Sequence, residues 1–323
     1  MSEAQQKTLA QLLNEDEGDE LCECPECGYS QSGEFRRCPK CKAWMSNPTI
    51  ADWGQKLPIG IDSEGKLVRG FDLRPLNWNI ERQINQQWGA RRDRLNLAEY
   101  MGTILANTIT KIGNQDITKF KFEKVLLILN RMYQADVFYM YAYLRLATLG
   151  KEMDLGEITC PSCRHKFPFV ADLSTLEVGI VENPSDLITD VELKDGFDMN
   201  GDHKTKLKMK PPLWSMLGSG FPTSINDAEI FLAMVTNCVV EIEGMPDGTV
   251  LTEKEVSQFS KYDVEKCQGV MEGVFAGPRW EIEGQCPKCG ESFYDLVDWT
   301  YDRFFAISSR SPRRKKRSKR SLL

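Results

Sequence analysis

Histidine is nearly missing from this sequence: His165 and His203 are the two in 323 residues. That removes the paired-histidine zinc-protease helix and most imidazole acid–base chemistry from consideration. No glycine-rich loop able to cradle phosphate is present, and no nucleophile elbow. The stretch Asp198-Met-Asn-Gly-Asp202 opens like a calcium loop, but His203 and Met209 stand where that loop needs glycine and glutamate, so it reads as a polar turn. The inventory predicts a protein without catalytic turnover. No apolar run approaches the roughly 18 residues a membrane span requires, and the first residues lack a signal-peptide layout. Both absences point to a chain made and kept in the cytosol.

Cysteine, by contrast, is plentiful and regular. Eight of the eleven cysteines fall in four copies of Cys-Pro-x-Cys. Proline stiffens such a turn and both sulfurs face one point, so two turns together offer the four thiolates of a tetrahedral structural zinc. Four such motifs in pairs favour metal over disulfide or redox roles in a reducing compartment. Cys24, Cys27, Cys38 and Cys41 have ten residues between the two turns, the spacing of a compact zinc ribbon. Cys160, Cys163, Cys286 and Cys289 are different, because 122 residues separate Cys163 from Cys286. With the first pair self-sufficient, these two are expected to share a second zinc. Closing a flexible loop of that length costs roughly 4 kcal/mol plus a constant. Zinc contributes about 10–16 kcal/mol in small fingers, enough to offset it. The expectation is two zinc ions, the second in a ribbon split by an inserted domain. Of the remaining three cysteines, Cys22 is a competing thiol beside the first site and Cys238 reads as core; Cys267 is unassigned.

Taken in order, residues 1–21 form an acidic leader expected to be disordered, and 22–45 the first ribbon. Residues 46–163 carry a hairpin and a helical region. Leu57-Pro-Ile-Gly-Ile61 and Lys66-Leu-Val-Arg69 flank the turn Asp62-Ser-Glu-Gly65. Asn77 is a candidate N-cap for a helix to about Gln87, and apolar spacing predicts another over 97–112. The strongest helical pattern covers 120–149, bent near Gln134, with Gly150 as its cap and an apolar stripe that belongs in a core. Residues 164–285 read as a mixed insertion. It has strands at 166–170, 204–210, 239–243 and 279–283, and helices at 227–238, after the capping box Thr252–Glu255, and from Ser260 to about Val274. Residues 286–307 complete the split ribbon, with a strand at 291–294 and a final helix over 299–306. The fold class is therefore α+β: an N-terminal zinc ribbon, a helical region, and a mixed α/β insertion closed by the split second ribbon.

Residues 308–323 form a basic tail expected to be disordered. Arg310, Arg313, Arg314, Lys315, Lys316, Arg317, Lys319 and Arg320 supply eight positive charges with no acid among them; removing them from a net charge of −6 leaves −14 on the rest. This run is either a solubilising end or an electrostatic tether to nucleic acid or another polyanion. Tyr29, Phe35, Arg36 and Arg37 of the first ribbon offer a further phosphate contact, although the acidic body argues against a broad nucleic-acid surface.

Several stretches also resemble a known family. They are Leu57-Pro58, Phe71-Asp-Leu-Arg-Pro-Leu76, and the aromatic helix Ala135-Asp136-Val-Phe-Tyr-Met-Tyr-Ala-Tyr-Leu-Arg145 running into Gly150 and Cys160-Pro-Ser-Cys163. These resemble the baseplate hub and hub-assembly proteins of T-even-type bacteriophages. In that family a helix of the form Asp-Arg-x-x-x-Leu…Leu-Arg precedes Cys-Pro-x-Cys. A later Cys-Pro-x-Cys-Gly and an aromatic C-terminal segment follow, here Phe293, Trp299, Phe304 and Phe305. The likeness spans about 57–307. Val137 departs from the family's arginine, and the first ribbon and basic tail have no counterpart. The resemblance implies a structural or chaperone subunit of a contractile-tail baseplate, without enzymatic activity. It would contact other hub or tail proteins, in the host cytoplasm during assembly or in the virion tail. The competing expectation is a zinc-ribbon accessory protein acting on nucleic acid in phage transcription or packaging.

Overall fold

The computed structural model describes residues 21–23, 29–32, 40, 47–63, 66–88, 97–218, 232, 235–246, 248–273, 276–297 and 304–305. The chain divides into two compact units, Met1–Pro48 and Thr49–Leu323. In the first, β1 (Leu21–Glu23) pairs antiparallel with β2 (Ser30–Ser32). Cys24, Cys27, Cys38 and Cys41 lie outside the described residues, as do Phe35, Arg36, Arg37 and the basic run from Arg310 to Arg320.

The second unit opens with the single turn α1 (Ile50–Trp53), started by a capping box in which Thr49 and Asp52 bond reciprocally. The expected hairpin follows as β3 (Lys56–Ser63) and β4 (Lys66–Leu73), with an irregularity between Lys56 and Ile61. Gly60 sits in that irregularity at φ +90°, and a Cβ there would lie 2.8 Å from the Val68 carbonyl oxygen. Only glycine fits. Next come α2 (Trp78–Trp88) and α3 (Leu97–Thr108).

The expected helix over 97–112 stops four residues early. Thr108 turns its hydroxyl back onto the carbonyls of Ile104 and Leu105. Ile109-Thr-Lys-Ile112 becomes β5, pairing with Phe71, Asp72 and Leu73 of β4. Ile109 and Ile112 are both buried in the strand, and their three-residue spacing suits a helix face as well, so spacing alone could not decide. The β-branched content and an available sheet edge settle it as a strand. With β6 (Gln115–Asp116) the sheet order is β3-β4-β5-β6.

The 120–149 pattern is two helices, α4 (Phe122–Asn130) and α5 (Gln134–Leu149), divided where the sequence suggested. α5 is the centre of this unit. Val137, Tyr139, Met140, Tyr141, Ala142 and Leu144 are all at most 1% exposed, as a helix apolar on every side requires.

After α5 comes the hairpin β7 (Glu152–Thr159) and β8 (Lys166–Asp172), whose first strand the sequence reading missed. Then β9 (Val178–Gly179) leads to β10 (Thr189–Met199), also missed, and β11 (Asp202–Met209). β10 and β11 meet at the turn Asn200-Gly201, where both residues have positive φ, so the polar turn expected at 198–202 is present. The short α6 (Ser215–Gly218) follows, and β12 (Val239–Ile242) completes the three-stranded sheet β10-β11-β12. Of the helix expected at 227–238, residue 232 and residues 235–238 are described, as helix.

α7 (Glu253–Val256) begins at the Thr252–Glu255 capping box, and α8 (Lys261–Gly273) after Ser260. These helices cover the sheet and share a core with it, including Val191, Phe197, Leu207, Met209, Cys238 and Cys267. Asp263 anchors the sheet by accepting from the backbone N–H groups of Lys194, Asp195 and Gly196, which hold its carboxyl below the usual range despite the opposing effect of burial. The chain returns through β13 (Gly277–Pro278), which pairs with β9. It then forms the hairpin β14 (Glu281–Gln285) and β15 (Ser292–Leu296), with Phe304 and Phe305 described beyond it.

Candidate metal centre

Two hairpins that are distant in sequence carry the same turn. In the first, Cys160 N–H donates to the His165 carbonyl and Arg164 N–H to the Cys160 carbonyl, at 2.9 and 3.0 Å. In the second, Cys286 N–H donates to Glu291 and Gly290 N–H to Cys286, both at 2.9 Å. Arg164 at φ +59° takes the left-handed position that Gly290 takes at φ +76°. The proline after each first cysteine needs no N–H at that place, so the turn loses no bond by it.

Apolar residues press the hairpins together. Phe293 meets Phe167 edge-on with centroids 5.9 Å apart and Phe169 at 5.3 Å, with Ile158 packed alongside. Gly284 lies beneath them, where a Cβ would come within 2.7 Å of Phe169. His165 stacks on Phe167 rather than facing the thiols.

This packing brings four sulfurs to one point. Cys160 Sγ is 3.7 Å from Cys289 Sγ, and Cys163 Sγ is 3.7 Å from Cys286 Sγ. All four lie within 4.8 Å of one another. Cys160 and Cys286 are 1% exposed, while Cys163 is half-buried and Cys289 exposed, so the cluster sits at the surface with one open side. Burial opposes ionisation of Cys286. The backbone N–H groups of Cys289 and Lys288, together with the neighbouring thiols, overcome that opposition and bring its pKa to about 6. Cys289 is pushed the opposite way, up to about 12: the Glu291 backbone N–H favours its thiolate, but burial and the neighbouring thiols of Cys163, Cys286 and Cys160 outweigh that bond. The four sulfurs together could hold one metal ion. Among the described residues no other group of cysteine, histidine or carboxylate side chains does so. Cys238 and Cys267 lie in the insertion's core, where burial first of all pushes both thiols up to about 12.

Two charged residues of α5 tie other segments to the central helix, Arg145 those that lead to the thiols and Asp136 the strand β3, and neither was read as functional from sequence. Arg145 is 3% exposed, and it donates to the carbonyls of Gly150 at 2.7 Å, Glu152 at 2.8 Å and Phe304. It thereby ties the start of β7 and the segment following β15 to the end of one helix. Asp136 is fully buried and accepts from Ile59 N–H at 2.8 Å and Gly60 N–H at 3.0 Å. Burial dominates and raises its pKa to about 7, against the pull of those two bonds and of Arg69. The signal available was a charge set within an otherwise apolar helix, since such a charge stays only where the fold gives it partners.

Among the described residues no helix is long and apolar enough to cross a membrane. The family described as T4 bacteriophage base plate protein matches residues 71–306, a span that includes the central helix, the insertion and all four clustered cysteines. No curated protein and no solved structure shows significant similarity to the chain.

Proposed function

The chain belongs to the T4 bacteriophage base plate protein family, which implies a structural role in the phage tail and other baseplate or tail proteins as partners; from that premise we propose a hub-region subunit or assembly protein held in shape by structural zinc. The observation that carries the reading is the thiol cluster lying inside the family span. A tetrahedral zinc with Zn–S bonds of about 2.3 Å sets its sulfurs about 3.8 Å apart. Two of the four cross-hairpin separations are 3.7 Å, and all the sulfurs lie within 4.8 Å of one another. Four thiolates leave no open coordination position, so the metal would clamp two segments together rather than activate a water. We assign a second zinc to Cys24, Cys27, Cys38 and Cys41 on their spacing in the sequence.

In this role Cys160, Cys163, Cys286 and Cys289 hold the metal, and Arg145 fixes the segments that deliver them. The work is done by contact, in the host cytoplasm during assembly and in the tail afterwards. Affinity capture of the tagged full-length protein from infected cells should recover baseplate proteins, and loss of its gene should leave baseplates incomplete. Normal baseplates with failed transcription or DNA packaging would overturn the assignment in favour of a nucleic-acid accessory role.

A further inference from the structure

The β14–β15 hairpin turns one face to the aromatic core and the other to solvent. On the outer face Glu281 is directly opposite Leu296, and Glu283 directly opposite Tyr294. Leu296 is 67% exposed and Tyr294 72%. Neither glutamate has an ion-pair partner among the described residues. The face is thus a carboxylate beside an apolar or aromatic platform, repeated once along the strand. Such a pair suits a long cationic side chain: its head meets the glutamate while its stem lies on Leu296 or its guanidinium covers the Tyr294 ring. The two repeats lie two residues apart, about 6.8 Å, the interval between alternate side chains of an extended segment.

The sequence contains a segment with that interval. Arg313, Lys315, Arg317 and Lys319 recur at every second position, within a run that has no acidic residue. Where the run starts from is fixed. Phe304 is fully buried, stacked on Tyr141 with centroids 5.3 Å apart and edge-on to Trp280 at 5.6 Å. Trp280 immediately precedes Glu281, so Phe304 lies beside the near end of this face. Eight residues from Phe305 to Arg313 span up to about 28 Å when extended, enough to lay the run along the hairpin.

We infer that residues 313–319 of the same chain dock on the outer face of β14–β15, pairing with Glu281 and Glu283 across Leu296 and Tyr294. Exposed ion pairs are individually weak. A short tether offsets that weakness by holding the basic run at millimolar effective concentration. The acidic face and the basic run then cover each other, and a partner that needs either must displace the other. Salt loosens the contact by screening.

The test uses the full chain throughout. Zero-length carbodiimide coupling at low salt should join Lys315 or Lys319 to Glu281 or Glu283 within one molecule. Its yield should not change on dilution and should fall severalfold at high salt. E281Q/E283Q is compared with E123Q/E253Q, an equal charge change at exposed glutamates elsewhere. On a phosphate-bearing matrix, E281Q/E283Q should elute at the higher salt because its basic run is released. Coupling spread over other carboxylates, coupling between chains that falls with dilution, or co-elution of the two variants would overturn the inference.

Discussion

Cys163 Sγ lies 3.7 Å from Cys286 Sγ although 122 residues of chain separate them. Those residues fold around a core of their own. The insertion therefore costs the second unit little ordering beyond bringing its two ends together. The aromatic contact of Phe293 with Phe167 and Phe169 does part of that work, and a metal at the thiols would do the rest.

If zinc occupies both proposed sites, metal analysis of the purified protein gives two ions per chain. Cys286→Ser should lower that to one and depress the unfolding midpoint. Cys24→Ser should also lower it to one, through the other unit. An unchanged zinc content in Cys286→Ser would rule out the clustered thiols as ligands.

Arg145→Met leaves three carbonyls, of Gly150, Glu152 and Phe304, without their donor. Only the bond to Phe304 is buried, the other two being part-buried, so the cost falls mainly there, where an acceptor stripped of its partner costs about 1–3 kcal/mol. We expect a loss of about 3 kcal/mol in urea unfolding, with Arg145→Lys recovering a minor part because one ammonium cannot span the three sites. A loss below about 1 kcal/mol would mean that water serves those carbonyls equally well.

Asp136 should make stability depend on pH in an unusual direction. Its folded pKa, about 7, is raised above the ordinary 3.8. The folded state therefore favours the protonated form. The resulting stabilisation is complete below pH 3.8 and is lost as pH rises toward 7. Asp136→Asn removes this titration. The difference in unfolding free energy between the native protein and Asp136→Asn should shift against the native protein from pH 4 to 7 and level off above that. Proton competition at the thiols affects both proteins and cancels in the difference. A difference independent of pH would show that the carboxyl keeps its ordinary pKa.

Gly284→Ala should disturb the seam between the hairpins, because the added methyl would collide with Phe293 of its own hairpin and meet Phe169 of the other at 2.7 Å. Overpacking of this kind costs about 1–3 kcal/mol. Metal release to a chelator should quicken, since the displaced strand carries Cys286. Release at the native rate, with native stability, would indicate that Phe169 and Phe293 can move aside.

What the sequence by itself determined is what depends on neighbours a few residues away. The Cys-Pro-x-Cys turns at Cys160 and Cys286, the Thr252–Glu255 capping box, the bend before Gln134 and the turn Asn200-Gly201 carry their partners within the local stretch. The meeting of the two distant cysteine pairs was also legible, because two thiols alone cannot complete a tetrahedral site. Tertiary structure decided whatever turned on a distant partner. Ile109–Ile112 became a strand because β4 offered an edge. Asp136 became a buried acceptor because β3 brought the N–H groups of Ile59 and Gly60 to it. Gly277 had to be glycine because its Cβ would press within 3.2 Å of Ala135 on the central helix. Each of those outcomes rests on a contact between segments far apart in the chain, and the periodicity of one segment holds no record of what will pack against it.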